Sequence, residues 1–136
     1  MKIDDIHSLF SKSSGISTDT RTIKKNNIFF CLKGENFDGN LFIDQAFNLG
    51  ASSVIYDEKE LDYKSEKAFK VKNSLETLQA LAKYHRSKFN IPVIGLTGSN
   101  GKTTSKELIN SVLSQKFNIT FTSNNFNNHI GVPLTI

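Results

Sequence analysis

The chain has 136 residues, 38% of them hydrophobic and 22% charged, with a formal net charge of +4, which suits about one ordinary domain with an apolar core. Its lysines are scattered, which argues against a nucleic-acid surface and fits an anionic small-molecule substrate equally well. No apolar run approaches membrane-spanning length, and the opening MKIDDIHSLF lacks the apolar core of a secretion signal, so a cytoplasmic protein without membrane insertion is expected.

The first strand is expected over residues 26–34, NNIFFCLKG, where Phe29, Phe30, Cys31 and Leu32 form an apolar run suited to burial on both faces. Cys31 is the only cysteine, so an internal disulfide and a cysteine metal cluster are excluded, and it reads as a buried structural thiol. ENFDGN follows, with turn chemistry at Asp38-Gly39. LFIDQAFNLG places Phe42, Ile43, Ala46, Phe47 and Leu49 at helical spacing, and Gly50 lies where a helix-terminating glycine belongs. ASSVIYD reads as the next strand, DEKELDYKSEK as a charged loop and AFKVKN as another strand. Ser74 is placed to cap a helix whose stripe comprises Leu75, Leu78, Leu81, Ala82, His85 and Phe89. His85 on that stripe reads as a satisfied, half-buried histidine.

Pro92 then resets the chain, and VIGLTG gives a further buried strand. Residues 104–117 are expected as a helix with Leu108, Ile109, Val112 and Leu113 inward, and NITFTS as a short strand. Helices alternating with apolar strands imply an α/β fold. The expected organisation is a small N-terminal α/β domain over residues 1–86, then the incomplete start of a P-loop, Rossmann-like domain over residues 87–136. One helix and a strand at 119–122 cannot complete a doubly wound sheet. Chain ends are usually polar and frayed, whereas this one is apolar, so the sequence reads as the N-terminal fragment of a longer protein.

The segment Gly98-Ser99-Asn100-Gly101-Lys102-Thr103-Thr104, between an apolar strand and a helix, reads as a phosphate loop. Its glycines permit conformations that turn successive N–H groups inward, and the helix N-terminus adds partial positive charge. Lys102 supplies a full charge for the β- and γ-phosphates, and the Thr103 hydroxyl is placed for Mg²⁺. The general pattern requires a glycine where Leu96 stands, so this is a shortened glycine-x-x-glycine-lysine-threonine variant. Taken alone the variant is a weak signal, open to reading as a strand-to-helix turn, and it does not separate ATP from GTP.

TGSNGKTT resembles the ATP loop of the Mur ligases and of the related folylpolyglutamate synthetases, which use this shortened pattern. TDTRTIKKNNIFFCLKGENFDG, residues 18–39, resembles the nucleotide-sugar end of Mur ligases, where aspartate-x-arginine precedes a strand, followed by glycine-glutamate and aspartate-glycine. NNFNNHIGVPLTI, residues 124–136, resembles the branch that adds D-alanyl-D-alanine; the diamino-acid-adding branch typically carries threonine-threonine-proline there. The resemblance covers nearly the whole chain, in order.

That resemblance implies an ATP-dependent amide ligase of peptidoglycan synthesis acting through an acyl phosphate. Its substrates would be UDP-N-acetylmuramoyl-tripeptide and D-alanyl-D-alanine, its cofactors ATP and Mg²⁺, and its state a monomer. Lys102 would be catalytic, Gly98 to Thr104 would bind nucleotide, and Thr103 would ligate the metal. Thr20, Arg21, Lys33, Gly34 and Asp38 would hold the UDP part, Arg21 because a guanidinium fork suits a diphosphate. Without the resemblance, Arg21 reads as a surface ion pair and Asp38-Gly39 equally as a plain turn. Asn125, Asn127 and Asn128 would contact substrate, although composition alone makes them an asparagine-rich loop. Residues needed for acyl transfer would lie beyond Ile136, so these 136 residues are expected to bind but not to catalyse. The rivals are a diamino-acid-adding Mur ligase and a P-loop phosphotransferase acting on an anionic metabolite.

Overall fold

The apolar run around Phe29 becomes the second strand of a parallel sheet and the centre of the core. The computed structural model describes residues 1–35, 37–122 and 128–136. In it β1 (Ile16–Ser17), β2 (Ile28–Phe30), β3 (Ser53–Tyr56) and β4 (Ala68–Lys70) lie side by side in that order, all parallel. The register sets Ile16 against Ile28, Phe29 against Val54 and Ile55 against Phe69. Successive strand residues face opposite ways. Ile28, Phe30 and Leu32 therefore join Ile6, Ile55, Leu78 and Leu81 in one cluster, while Phe29 and Cys31 join Ile43, Ala46, Val54 and Tyr56 in another. Burial on both faces explains why the run lacks polar alternation. The expected α/β class holds.

Helices α1 (Ile3–Ser11) and α3 (Ser74–Ser87) cover the first cluster, and α2 (Ile43–Asn48) the second. The strands near 28, 53 and 68 and the helices near 43 and 74 appear where periodicity places them. Gly50, at φ 98°, ends α2 in the left-handed conformation its position demands. The sequence reading assigned no element to α1 or to the two-residue β1. Asn73, rather than Ser74, caps α3, accepting the Glu76 N–H at 2.9 Å, and Ser74 is the fully buried first helical residue. Burial pushes the Cys31 thiol up to about 12, with the nearby charges of Asp57 and Asp38 adding to the effect, so it stays protonated and structural.

His85 is satisfied, as its place on the stripe suggests. Its Nδ1 lies 3.0 Å from His7 Nε2, within a group of rings that includes Phe10 and Phe89. Burial, aided by neighbouring His7, holds the His85 pKa below its usual value. A depressed histidine pKa means that the unfolded chain binds the proton first, so stability is present above about pH 6.5 and is lost as pH falls through the folded value. Thermal unfolding at pH 7.5 and 5.5 is therefore expected to give a lower Tm at the acidic pH. His85→Phe, which cannot titrate, should flatten the difference; an equally steep dependence in that variant would assign it elsewhere.

The second half departs from expectation. Residues 92–98 and 119–122 form no strand. A strand exists only through a ladder with a neighbour, and the ladders of β1 to β4 are made among themselves. Val93 and Ile94 are accordingly 68% and 61% exposed. Helix α4 spans Lys102–Leu113, shorter than expected, and Leu108 and Val112 face solvent at 63% and 70% exposure, while Ile109 and Leu113 are half-buried. Helix α5 (Gly131–Thr135) instead packs on α3 of the first sheet, with Ile130 and Leu134 against its core and the Gln79 amide donating to the His129 carbonyl at 3.0 Å. Among the described residues, no helix is long and apolar enough to cross a membrane.

Candidate functional site

In parallel α/β sheets, ligands gather outside the carboxyl ends of the strands. The substrate candidates between residues 20 and 38 lie there. Thr20 and Arg21 form a short 3₁₀ turn, Thr20–Thr22, after β1; Lys33, Gly34 and Asp38 lie on the loop after the adjacent β2. Asp19 shapes the first turn by accepting the Arg21 N–H at 2.9 Å. It also grips the Arg21 guanidinium, with Nη2 to Oδ2 at 2.6 Å. The Arg21 hydrogen bond holds the Asp19 carboxyl below the usual carboxylate range. The Arg21 side chain remains 86% exposed, so the ion pair orients a cation that still faces solvent. Arg21 is thus ion-paired at the surface, in the turn that follows β1 at the carboxyl end of the sheet.

The second loop closes on itself. Gly34 donates to the Phe37 carbonyl and Gly39 to the Leu32 carbonyl, each at 2.8 Å, and Lys33 Nζ lies 2.9 Å from Asp38 Oδ2 and 3.7 Å from Glu58 Oε2. Partial burial opposes charge on Asp38, but hydrogen bonds from Lys33 and Asn40 outweigh it and hold its pKa low; the Asp38 bond in turn raises that of Lys33. The result is an exposed ammonium with a fixed counter-charge. The sequence reading passed over Asn40 and Asp57, which hydrogen-bond to each other across two loops. Asp57 carried one signal, its place just after the apolar run of β3. Asn40 carried only its adjacency to Asp38-Gly39.

The second candidate site is the start of α4. Gly98 and Gly101 adopt φ of 147° and 77°, and Gly101 is the N-cap of α4 without a side-chain partner. Those angles favour glycine. The N–H groups of Lys102, Thr103 and Thr104 have no partner among the described residues, while Ser105 donates to the Gly101 carbonyl at 2.8 Å. The Lys102 ammonium folds back on the Gly98 carbonyl. Ser99, Asn100, Thr103 and Thr104 are exposed. Unpaired N–H groups, a helix dipole and a lysine at one point form an anion cradle. The Thr103 hydroxyl is an oxygen donor suited to Mg²⁺ as one ligand among several. Among the described residues, no cluster of histidine, cysteine and carboxylates could hold a metal by itself.

Asn125 and Asn127 lie outside the described residues. Asn128 turns its side-chain oxygen onto the N–H groups of Ile130 and Gly131, at 3.1 and 2.7 Å, at the start of α5.

Comparison with known proteins gives these features a context. The chain is 44% identical over 123 residues to the UDP-N-acetylmuramoyl-tripeptide–D-alanyl-D-alanine ligase of Bacillus subtilis, covering 90% of this chain and 27% of that one. It is 43% identical over 105 residues to the UDP-N-acetylmuramoyl-L-alanyl-D-glutamate–2,6-diaminopimelate ligase of Clostridium tetani, covering 74% and 22%. The crystal structure of MurF ligase from Thermotoga maritima in complex with ADP matches with a TM-score of 0.80 at 33% identity, covering 99% of this chain and 30% of that one. The chain thus spans less than a third of the length of these relatives. The model of the Mur ligase middle domain matches residues 96–136, and that of the Mur ligase family catalytic domain matches residues 12–86. Since the latter alone spans more than half of its length, the chain belongs to the Mur ligase family.

Proposed function

We propose that this chain supplies the UDP-sugar site and the phosphate loop of a longer, cytoplasmic, ATP-dependent ligase that joins D-alanyl-D-alanine to UDP-N-acetylmuramoyl-tripeptide. Residues 1–86 form the nucleotide-sugar domain, and residues 87–136 open the ATP domain. The observation that carries this reading is the α4 N-terminus, where Lys102 heads N–H groups with no partner among the described residues, in a chain of this family. The likeness to D-alanyl-D-alanine ligases over 90% of the chain supports D-alanyl-D-alanine as the acceptor.

The reaction starts with transfer of the γ-phosphoryl group of ATP to the tripeptide's terminal carboxylate, releasing ADP. The amine of D-alanyl-D-alanine attacks the acyl phosphate, the amide bond forms and phosphate leaves. Catalysis rests on neutralising phosphoryl charge and aligning two anionic partners. Lys102 moves from the Gly98 carbonyl onto the γ-phosphate, and the N–H groups of the loop and first helical turn hold the other oxygens. Thr103 would be one ligand of Mg²⁺, which when bound would supply further charge neutralisation. At the sheet edge, Arg21 and Lys33 face the diphosphate, with Thr20, Gly34 and Asp38 completing that site and Asn125, Asn127 and Asn128 reserved for sugar or peptide.

The experiment is phosphate release by the longer protein with ATP, Mg²⁺ and UDP-N-acetylmuramoyl-tripeptide, with and without D-alanyl-D-alanine. Release that needs both peptides is expected. The 136 residues alone should release none. The likeness to the Clostridium tetani enzyme supports the rival reading; release with a dipeptide precursor and a diamino acid would select it. Hydrolysis with neither peptide would point to a phosphotransferase.

A further inference from the structure

A loop places its side chains only as well as the loop itself is held. The Lys33–Asp38 loop is held by a chain of hydrogen bonds that runs away from the exposed edge. Asn40, only 6% exposed, donates from Nδ2 to Asp38 Oδ1 at 2.8 Å and to Asp57 Oδ1 at 3.2 Å. Its Oδ1 accepts the Asp57 N–H at 3.2 Å. Asp57 Oδ2 accepts the N–H of Ser74, in the first turn of α3, at 2.8 Å. The series Lys33, Asp38, Asn40, Asp57, Ser74 ties together the segments that follow β2, β3 and β4. Both oxygens of Asp57 face N–H donors, an arrangement that only a carboxylate satisfies. An amide there would turn an NH₂ group towards Asn40 or towards the helix.

We propose that Asp57 and Asn40 are positioning residues for nucleotide-sugar binding, holding Asp38 and through it the Lys33 ammonium at the carboxyl edge of the sheet. The inference rests on reading that edge as the UDP-sugar site. Asp57 acts through Asn40 on a loop that the α3 N-terminus anchors, so site geometry depends on a residue that touches no ligand.

The competing role for Asp57 is capping α3 and nothing more. Asn73 separates the two, because its side chain caps the same helix end through Glu76 and, among the described residues, makes no bond to the loop. Asn40→Ala approaches from the other side, cutting the loop tie while leaving the Asp57–Ser74 bond in place. In the longer protein, affinity for UDP-N-acetylmuramoyl-tripeptide is measured by calorimetry, and affinity for ATP and the Tm alongside. Asp57→Asn and Asn40→Ala are expected to weaken nucleotide-sugar binding about tenfold, as loss of an outer support typically does, with ATP affinity within about twofold. Asn73→Ala should lower the Tm as a lost cap does and leave both affinities unchanged. If Asp57→Asn and Asn40→Ala bind the nucleotide-sugar as tightly as wild type while the Tm falls, the two residues only stabilise the fold and the proposal is overturned. Wild-type protein that binds ATP but no nucleotide-sugar would overturn the underlying site assignment, a failure visible before any variant is made.

Discussion

Lys102→Ala is expected to lower phosphate release in the complete ligase assay by at least ~10³-fold, the scale seen when a charge acting on a transferring phosphoryl group is removed. Folding should be untouched. Lys102 opens α4 next to exposed residues, and among the described residues its ammonium bonds only to the Gly98 carbonyl of its own loop. Alanine is also the best helix former. A Tm within about 2 °C of wild type, together with the lost turnover, would place the effect on chemistry. Activity within tenfold of wild type would mean that the phosphoryl charge is balanced by other groups, and the role given to this loop would fall. Affinity for ATP should weaken as well, because the same ammonium meets the phosphates before and during transfer.

Gly39→Ala is expected to destabilise the protein by about 3 kcal/mol, the upper end for overpacking, and to lower the Tm by about 10 °C. A Cβ at residue 39 would lie 2.8 Å from the Leu32 nitrogen and 2.9 Å from both Cys31 Cα and the Leu32 carbonyl oxygen. All three are backbone atoms in the segment that leaves β2, so no side chain can rotate out of the way. Either the 39–42 turn or the end of the strand must move. Gly39 also donates to the Leu32 carbonyl, and Lys33 and Asp38 pair across that same base. Nucleotide-sugar affinity should therefore fall with the Tm. A variant with unchanged Tm would show that the turn has room that the packing denies. The glycine of Asp38-Gly39 is thus required by a close approach of two backbones, a requirement distinct from turn chemistry.

Features that depend on a few neighbouring residues were legible in the sequence. The both-faces-buried strand around Phe29, the stripe of α3, the left-handed Gly50 and the positive-φ glycines at 98 and 101 are each specified by local pattern and backbone sterics. The strand around Phe29 and the glycines at 98 and 101 lie within the motifs that carry the family resemblance. The tertiary structure decided what local pattern cannot encode. VIGLTG has the composition of a buried strand, yet a strand needs a ladder partner, and none among the described residues pairs with it. His7 and His85 are 78 positions apart, and only the packing of α1 on α3 makes each the other's partner. Asn40 and Asp57 lie 17 positions apart in unremarkable contexts. They meet because adjacent parallel strands deliver their following loops to the same edge, and parallel pairing is a long-range contact that no short window of sequence contains.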